Sequence, residues 1–196
     1  MKLYKICNKI SLLLHVLASA AGYFVMEAIC RHSFIEAWNY MTQRPLVFAY
    51  NAAFIFTSSL IVYLFHRRVF WRILVTLFWL ILAIINGVLL LNRVTPFTGP
   101  DLHLITDAMK IANKYLPVAG VVAVCILFGI LVILLLMLLI KGPKYQKKIK
   151  YRYNIPLILL AVALFAGSTQ LALEKRVLSN YFGNIAFAYE DYGCLL

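Results

Sequence analysis

The sequence predicts an all-α, polytopic membrane protein with five transmembrane helices and an extracellular amphipathic interfacial helix between helices 3 and 4. The first observation is composition: of 196 residues, 64% are hydrophobic and 13% are charged, whereas soluble domains have about half and about a quarter. The second is a series of apolar runs of roughly 20 residues, the length that a helix needs to cross ~30 Å of hydrocarbon. The third is a concentration of Lys and Arg in three connecting segments, which accounts for the net charge of +12 as a topology signal rather than a nucleic-acid surface.

The five predicted spans cover residues 10–29, 46–65, 69–91, 117–140 and 155–173. The first has features of a secretory signal peptide, because a basic leader precedes it and Ala18-Ser19-Ala20 has the pattern of a cleavage site. Its apolar run continues through Met26, however, so we favour an uncleaved helix. The segment after it contains Trp38, which suits the membrane interface. Only His66-Arg67-Arg68 separates spans two and three, so these two helices must form an antiparallel hairpin.

Charge predicts which helix ends face the cytoplasm. The leader, the turn at 66–72 and the loop at 141–152 hold three, three and six basic residues and no acid, whereas all seven acids lie on the other side. By the positive-inside rule, we expect a cytoplasmic N-terminus and an extracellular C-terminus. A basic loop beside a membrane also attracts anionic lipid without a specific partner, so we interpret the 141–152 loop as a topology signal.

The segment 92–116 is the one long polar segment between the apolar spans whose residue pattern indicates a functional role. Its first half forms turns, and Thr98 stands three residues before Asp101, which is capping-box spacing. Its second half has helical periodicity, with apolar residues along one side and charged ones along the other. Such a helix is suited to lying in the bilayer surface, although an ordinary loop with a surface helix has the same pattern.

Three polar side chains within or beside the apolar spans are predicted to make intramembrane contacts: Glu27, Asn51 and Asn86. Polar groups at membrane depth must be hydrogen-bonded inside the bundle, so they mark helix contacts or a substrate path. Asn51 and Asn86 would both lie toward the outer leaflet, because their helices are antiparallel. Glu27 is expected near the outer interface, hydrated or paired with Arg31 one helical turn further on.

No pattern in the sequence predicts catalysis by this chain alone. Nucleophile elbows, phosphate-binding glycine loops and metal-binding histidine or cysteine pairs do not occur, so no catalytic residue, metal site or cofactor is expected. The four cysteines, Cys7, Cys30, Cys125 and Cys194, lack ligand spacing, and no disulfide framework is predicted from them.

Several segments resemble a known family. They are Glu27-Ala28-Ile29-Cys30-Arg31-His32-Ser33-Phe34, Asn51, Asn86, the tail from Asn180 to Gly193, and above all Arg93-Val94-Thr95-Pro96-Phe97-Thr98-Gly99-Pro100-Asp101-Leu102. With five spans, they resemble the membrane domain of the lipoteichoic acid synthase family. Its members are bacterial phosphoglycerol transferases with a sulfatase-type extracellular domain, and the resemblance covers essentially the whole chain.

The resemblance implies a membrane anchor and lipid-positioning module in the bacterial cell membrane. The family moves glycerol phosphate from phosphatidylglycerol to a glycolipid or polymer, and its nucleophile and manganese ligands lie in the extracellular domain. Residues 1–173 would be the transmembrane domain and 174–196 an extracellular connector, truncated before any catalytic domain. A phosphatidylglycerol headgroup is expected at Arg93, Thr95, Thr98 and Asp101. A stand-alone five-helix interaction protein is the alternative, followed by a small transporter, which the scarcity of intramembrane charge disfavours.

Overall fold

The computed structural model describes residues 11–92, 95–97, 99, 101, 118–145, 148–174, 189 and 192–194. Its regular structure is helical throughout these residues, as the apolar runs predict. The helices are α1 (Ser11–Cys30), α2 (Phe34–Gln43), α3 (Pro45–Ser59), α4 (Arg68–Asn92), α5 (Val118–Lys141) and α6 (Tyr151–Glu174). A 3₁₀ helix, Leu60–Leu64, continues α3.

Among the described residues, four helical segments are long and apolar enough to cross a membrane: Ser11–Cys30, Pro45–Leu64, Arg68–Leu91 and Tyr151–Glu174. The prediction of an all-helical protein with several membrane-spanning segments is confirmed at this level. The fifth predicted span, 117–140, coincides with α5, and its crossing of the membrane stays a prediction. The interfacial helix predicted over 102–116 lies outside the described residues.

Helix α2 was not predicted, although the sequence carries its start signal. Ser33 is the N-cap, and its hydroxyl accepts a hydrogen bond from the Glu36 backbone N–H at 3.3 Å, with Glu36 at the spacing of a capping box. Ala37 and Tyr40 are buried, while Phe34, Ile35 and Trp38 are exposed. This exposed apolar face is typical of a helix at the membrane interface.

Helix α1 lies at the centre of the bundle, packed between α3 and α4. The Tyr23 and Phe48 rings meet with centroids 4.9 Å apart, and His15 packs edge-on against Phe56 at 5.2 Å. By contrast, α6 has no buried side chain. It contacts the bundle through pairs such as the Tyr50 and Thr169 hydroxyls, 3.0 Å apart.

Two of the basic segments, the turn before α4 and the chain after α5, meet at one end of the bundle. The Tyr145 backbone N–H donates to the His66 carbonyl at 2.7 Å, and Arg67 Nη1 donates to the Gly142 carbonyl at 3.1 Å. The segment after α5 is therefore attached to the turn before α4. The buried polar residues near Cys30 lie at the opposite end of α1.

Candidate functional site

Glu27 is the centre of a buried polar cluster in the last turn of α1. Its side chain has no exposed surface. One carboxylate oxygen accepts from Arg31 Nε at 2.6 Å, and the other accepts from the Tyr23 hydroxyl and the Cys194 backbone N–H, both at 3.0 Å. Burial of a carboxylate is costly unless donors of this kind surround it. We call Tyr23, Glu27, Arg31, Tyr40, Asn51 and Asn86 the Glu27 cluster.

The local sequence places the charged pair by helical spacing. Tyr23, Glu27 and Arg31 follow each other at intervals of four residues, so they share one side of α1 and of its C-terminal turn. The guanidinium carbon of Arg31 then lies 4.4 Å from the centroid of the Tyr40 ring and 5.6 Å from that of Tyr189. The cation is held between a carboxylate and aromatic faces, the usual surroundings of a partly desolvated arginine.

The electrostatics of the cluster keep its phenols neutral. Burial, and then the Glu27 carboxylate, raise the pKa of Tyr189 to about 12 and that of Tyr40 well above its usual value. Burial lowers the pKa of Arg31, but the adjacent Glu27 outweighs this effect and the net direction is upward. Arg31 therefore stays charged, and both tyrosines keep their protons at physiological pH.

The two predicted asparagines hold backbone from distant parts of the chain. Asn51, 2% exposed, donates from Nδ2 to the Tyr23 hydroxyl at 2.8 Å and to the Tyr192 carbonyl at 2.6 Å. Asn86, 4% exposed, donates to the Cys194 carbonyl at 3.1 Å and accepts from the Phe97 backbone N–H at 2.9 Å. The structure thus brings Glu27, Asn51 and Asn86 around one segment, residues 192–194.

A disulfide joins Cys30 to Cys194 in this cluster, so the prediction of no disulfide framework was wrong. The two residues are 164 positions apart, and their Cα atoms lie 6.1 Å apart, within the normal range for a disulfide. Local spacing could not reveal the pair, because the fold brings together the end of α1 and a segment beyond α6. The bond fixes residues 192–194 covalently to α1.

Gly193 is required by both conformation and space. Its φ of +82° lies in the left-handed region, which side chains rarely adopt. A Cβ at this position would also collide with the Tyr23 hydroxyl and would lie 2.8 Å from both the Glu27 carboxylate and the Tyr40 hydroxyl. The segment therefore reaches the cluster only with glycine at its centre.

The residues predicted to bind a lipid headgroup are described in part. Thr95 and Asp101 are described and both have interaction partners, whereas Arg93 and Thr98 lie outside the described residues. Pro96, between Thr95 and Phe97, is fully buried. A cavity of about 90 Å³ lies where this turn meets the bundle, and Asn86, Phe97 and Cys194 are among its lining residues.

The geometry of the Glu27 cluster is that of a clamp rather than a reaction centre. Each carboxylate oxygen of Glu27 accepts at least one hydrogen bond from a side chain or backbone group of the protein. Within the described part of the chain, no group of three His, Cys, Asp or Glu side chains could hold a metal ion. What the arrangement does is hold two backbone segments, 95–97 and 192–194, against α1, α3 and α4.

Sequence reasoning missed Tyr23 and Tyr40 as members of this cluster, and it missed the Cys30–Cys194 disulfide beside them. For Tyr23, the available signal was its spacing of one turn before Glu27. For the cysteines, the signal was the presence of both on the predicted outer side, where disulfides form.

Comparisons of the chain with family models, curated proteins and solved structures gave no match.

Proposed function

We propose that this chain is the membrane module of a bacterial phosphoglycerol transferase of the lipoteichoic acid synthase type. In this proposal it anchors the protein and presents phosphatidylglycerol beside the segment that follows the last helix. The nucleophile and the divalent metal would belong to a separate extracellular domain. The observation that carries the proposal is the pair of hydrogen bonds at Asn86.

Asn86 connects the turn after α4 to the segment after α6. Because its side chain binds both Phe97 and Cys194, residues 95–97 and 192–194 are neighbours in space. An anionic headgroup held by Arg93, Thr95 and Thr98 would therefore lie next to the point where the chain leaves the bundle. Such proximity is what a lipid substrate needs if chemistry is performed by residues further along the chain.

The orientation in the proposal follows from charge and from the disulfide. Twelve basic residues and no acid occupy the leader, the 66–72 turn and the 141–152 loop, which favours a cytoplasmic location for that end. The Cys30–Cys194 disulfide lies at the other end of α1, and disulfides persist in oxidising compartments outside the cytoplasm. Both observations support an extracellular Glu27 cluster in the cell membrane.

Lipid capture tests the headgroup role. The protein is placed in nanodiscs of equimolar phosphatidylglycerol and phosphatidylcholine, and co-purifying lipid is quantified by native mass spectrometry. We expect enrichment of phosphatidylglycerol that is reduced in Arg93→Ala, with binding at this site about tenfold weaker, because hydrogen bonds to charged groups contribute ~1.5–3 kcal/mol. Arg176→Ala, which removes the same charge on the same predicted side, is the control and should retain the enrichment. Equal enrichment in Arg93→Ala and the unmodified chain would overturn this role.

The transferase assignment is tested by the gene itself. We expect the reading frame beyond codon 196, directly or after a single-base shift, to encode a metal-dependent phosphoglycerol transferase domain. A stop codon followed by an unrelated gene would favour a second candidate, a stand-alone membrane protein that binds a partner through its helices.

A further inference from the structure

A second site lies at the basic end of the bundle, remote from the Glu27 cluster. Here residues 145 and 148–150, between α5 and α6, lie near the start of α4 and border an open cavity of about 330 Å³. Small-molecule sites usually measure ~300–1,000 Å³, so this volume is sufficient for a polar headgroup. The cavity is lined by Arg68, Tyr145, Lys148, Ile149, Lys150 and Asn154.

The lining is strongly cationic and has no acidic counterpart nearby in sequence. Three of the six lining residues are Arg or Lys, and neither 37–100 nor 118–173 contains an Asp or Glu. The positive charge in the cavity is therefore unbalanced by the segments that build it. An anion is the ligand that such surroundings favour.

Arg68 is held in position for such a ligand. Its guanidinium carbon lies 3.6 Å from the centroid of the Tyr145 ring and 5.1 Å from that of Tyr63. Its Nε is buried and has no hydrogen-bond partner in the described structure. When a guanidinium packs on a ring face, the N–H groups along its edge remain free to donate. Two of these N–H groups can donate parallel hydrogen bonds to two oxygens of one phosphate.

The start of α6 adds further donors to the cavity. The Lys150 carbonyl accepts the Tyr153 and Asn154 N–H groups, both at 3.0 Å, so the helix begins directly after the two lining lysines. The first N–H groups of a helix and its dipole favour an anion at this end. Asn154 also fixes the geometry, because its Nδ2 donates to the Tyr63 carbonyl at 3.1 Å.

The surroundings distinguish a lipid from a soluble phosphate. The cavity opens beside α6, a candidate membrane span with no buried side chain. Ile155 and Leu157, in the turns that follow the cavity, are exposed apolar residues. Acyl chains attached to a phosphate in the cavity would run along this apolar surface, which a free phosphate would leave unused.

We propose that this cavity binds the phosphate of an anionic phospholipid headgroup, through Arg68, Lys148 and Lys150, at the membrane surface opposite the Glu27 cluster. The site is independent of the proposed function, since it lies at the other end of the bundle. Its occupant would connect residues 148–150 to Arg68 at the start of α4.

The test compares two double substitutions that remove equal charge. Lys148→Gln/Lys150→Gln changes the cavity, whereas Lys141→Gln/Lys144→Gln changes the same basic segment outside the cavity lining. Both pairs are exposed, so folding is expected to persist and is checked by circular dichroism. The probes are dioctanoyl phosphatidylglycerol, dioctanoyl phosphatidylcholine, glycerol 3-phosphate and inorganic phosphate, and binding in detergent is measured by native mass spectrometry. Any binding at the other end of the bundle is common to both variants.

We expect the phosphatidylglycerol affinity to fall about tenfold or more in the cavity variant, at ~1 kcal/mol for each basic residue, and by less than about twofold in the control variant. Arg68→Lys, which keeps the charge but loses the planar fork, should also weaken binding. Equal losses in the two double variants would mean diffuse attraction and would overturn the site. Competition by glycerol 3-phosphate or inorganic phosphate at concentrations similar to that of the lipid would overturn the lipid as its occupant.

Discussion

Glu27 joins three separate parts of the chain within the cluster. Its carboxylate joins the phenol of Tyr23, the guanidinium of Arg31 and the backbone of Cys194. Arg31 has a buried Nη2 without a hydrogen-bond partner among the described residues, so its charge relies on Glu27 and on ring faces. Loss of the carboxylate charge would leave this arginine without its counterion.

We therefore expect Glu27→Gln to lower the free energy of unfolding by about 1–3 kcal/mol, the range for a charge-assisted hydrogen bond lost from a buried site. Thermal unfolding in detergent measures this change. Glu36→Gln is the matched control: Glu36 is exposed in α2, so the same substitution should change stability by less than about 0.5 kcal/mol. Equal melting temperatures for Glu27→Gln and Glu36→Gln would contradict the role of Glu27.

Gly193 is a second residue on which the position of residues 192–194 depends. Gly193→Ala should displace residues 192–194, because the new methyl group would collide with the Tyr23 hydroxyl and the backbone would be strained. The oxidised fraction of Cys30–Cys194 in a glutathione buffer, read by alkylation and mass shift, is expected to fall. Gly167→Ala is the control, since a Cβ there meets nothing within 4 Å and alanine favours a helix by ~1 kcal/mol. An unchanged oxidised fraction in Gly193→Ala would show that the segment does not need glycine.

Among the elements, α4 has a role beyond spanning the membrane, because Asn86 on it binds two other segments. Asn86→Asp keeps an acceptor for the Phe97 N–H but removes the donor to the Cys194 carbonyl. We expect hydrogen exchange at 192–194 to accelerate about tenfold while exchange at Phe97 changes little, consistent with loss of about 1.5 kcal/mol locally. Asn39→Asp, at an exposed asparagine of α2, should leave both segments unchanged. Faster exchange at Phe97 alone would contradict the assignment of the side-chain donor.

The long helices were predictable from sequence because each is a run of apolar residues of the length that a membrane span needs. Such a run is recognised without knowing any long-range contact. The span predicted at 69–91 corresponds to the helix Arg68–Asn92. The span predicted at 46–65 corresponds to Pro45–Ser59 together with the 3₁₀ helix Leu60–Leu64. Helix α6 begins at Tyr151, four residues before the predicted start at 155. Its first turn is polar and aromatic, so hydropathy did not include that turn in the span. Helix α2 is short and half polar, so hydropathy did not reveal it.

The candidate site was predictable only as isolated residues. Glu27, Asn51 and Asn86 are conspicuous because polar groups are rare in apolar spans. Their shared partner, residues 192–194, is more than 100 positions from each asparagine along the chain, and no local period connects them. Long-range contacts of this kind come from tertiary packing, which a single sequence does not display.

For the whole molecule, orientation in the membrane is the property on which the proposed function depends. We expect Gln43→Cys, at the exposed end of α2, to react with an impermeant maleimide on intact cells. Lys144→Cys, in the basic segment, should react only after permeabilisation. Both variants also carry Cys7→Ser and Cys125→Ser, and the disulfide occupies the other two native cysteines. The introduced cysteine is then the thiol that the maleimide labels. The reverse labelling pattern would place the basic end outside and contradict the orientation.

The disulfide also determines how the molecule carries load. Tension applied to the chain beyond Cys194 passes through the covalent bond to Cys30 and so into the central helix. The position of residues 192–194 is therefore set by the link to α1 as well as by the backbone path through α5 and α6. The central helix is thus the mechanical anchor of residues 192–194.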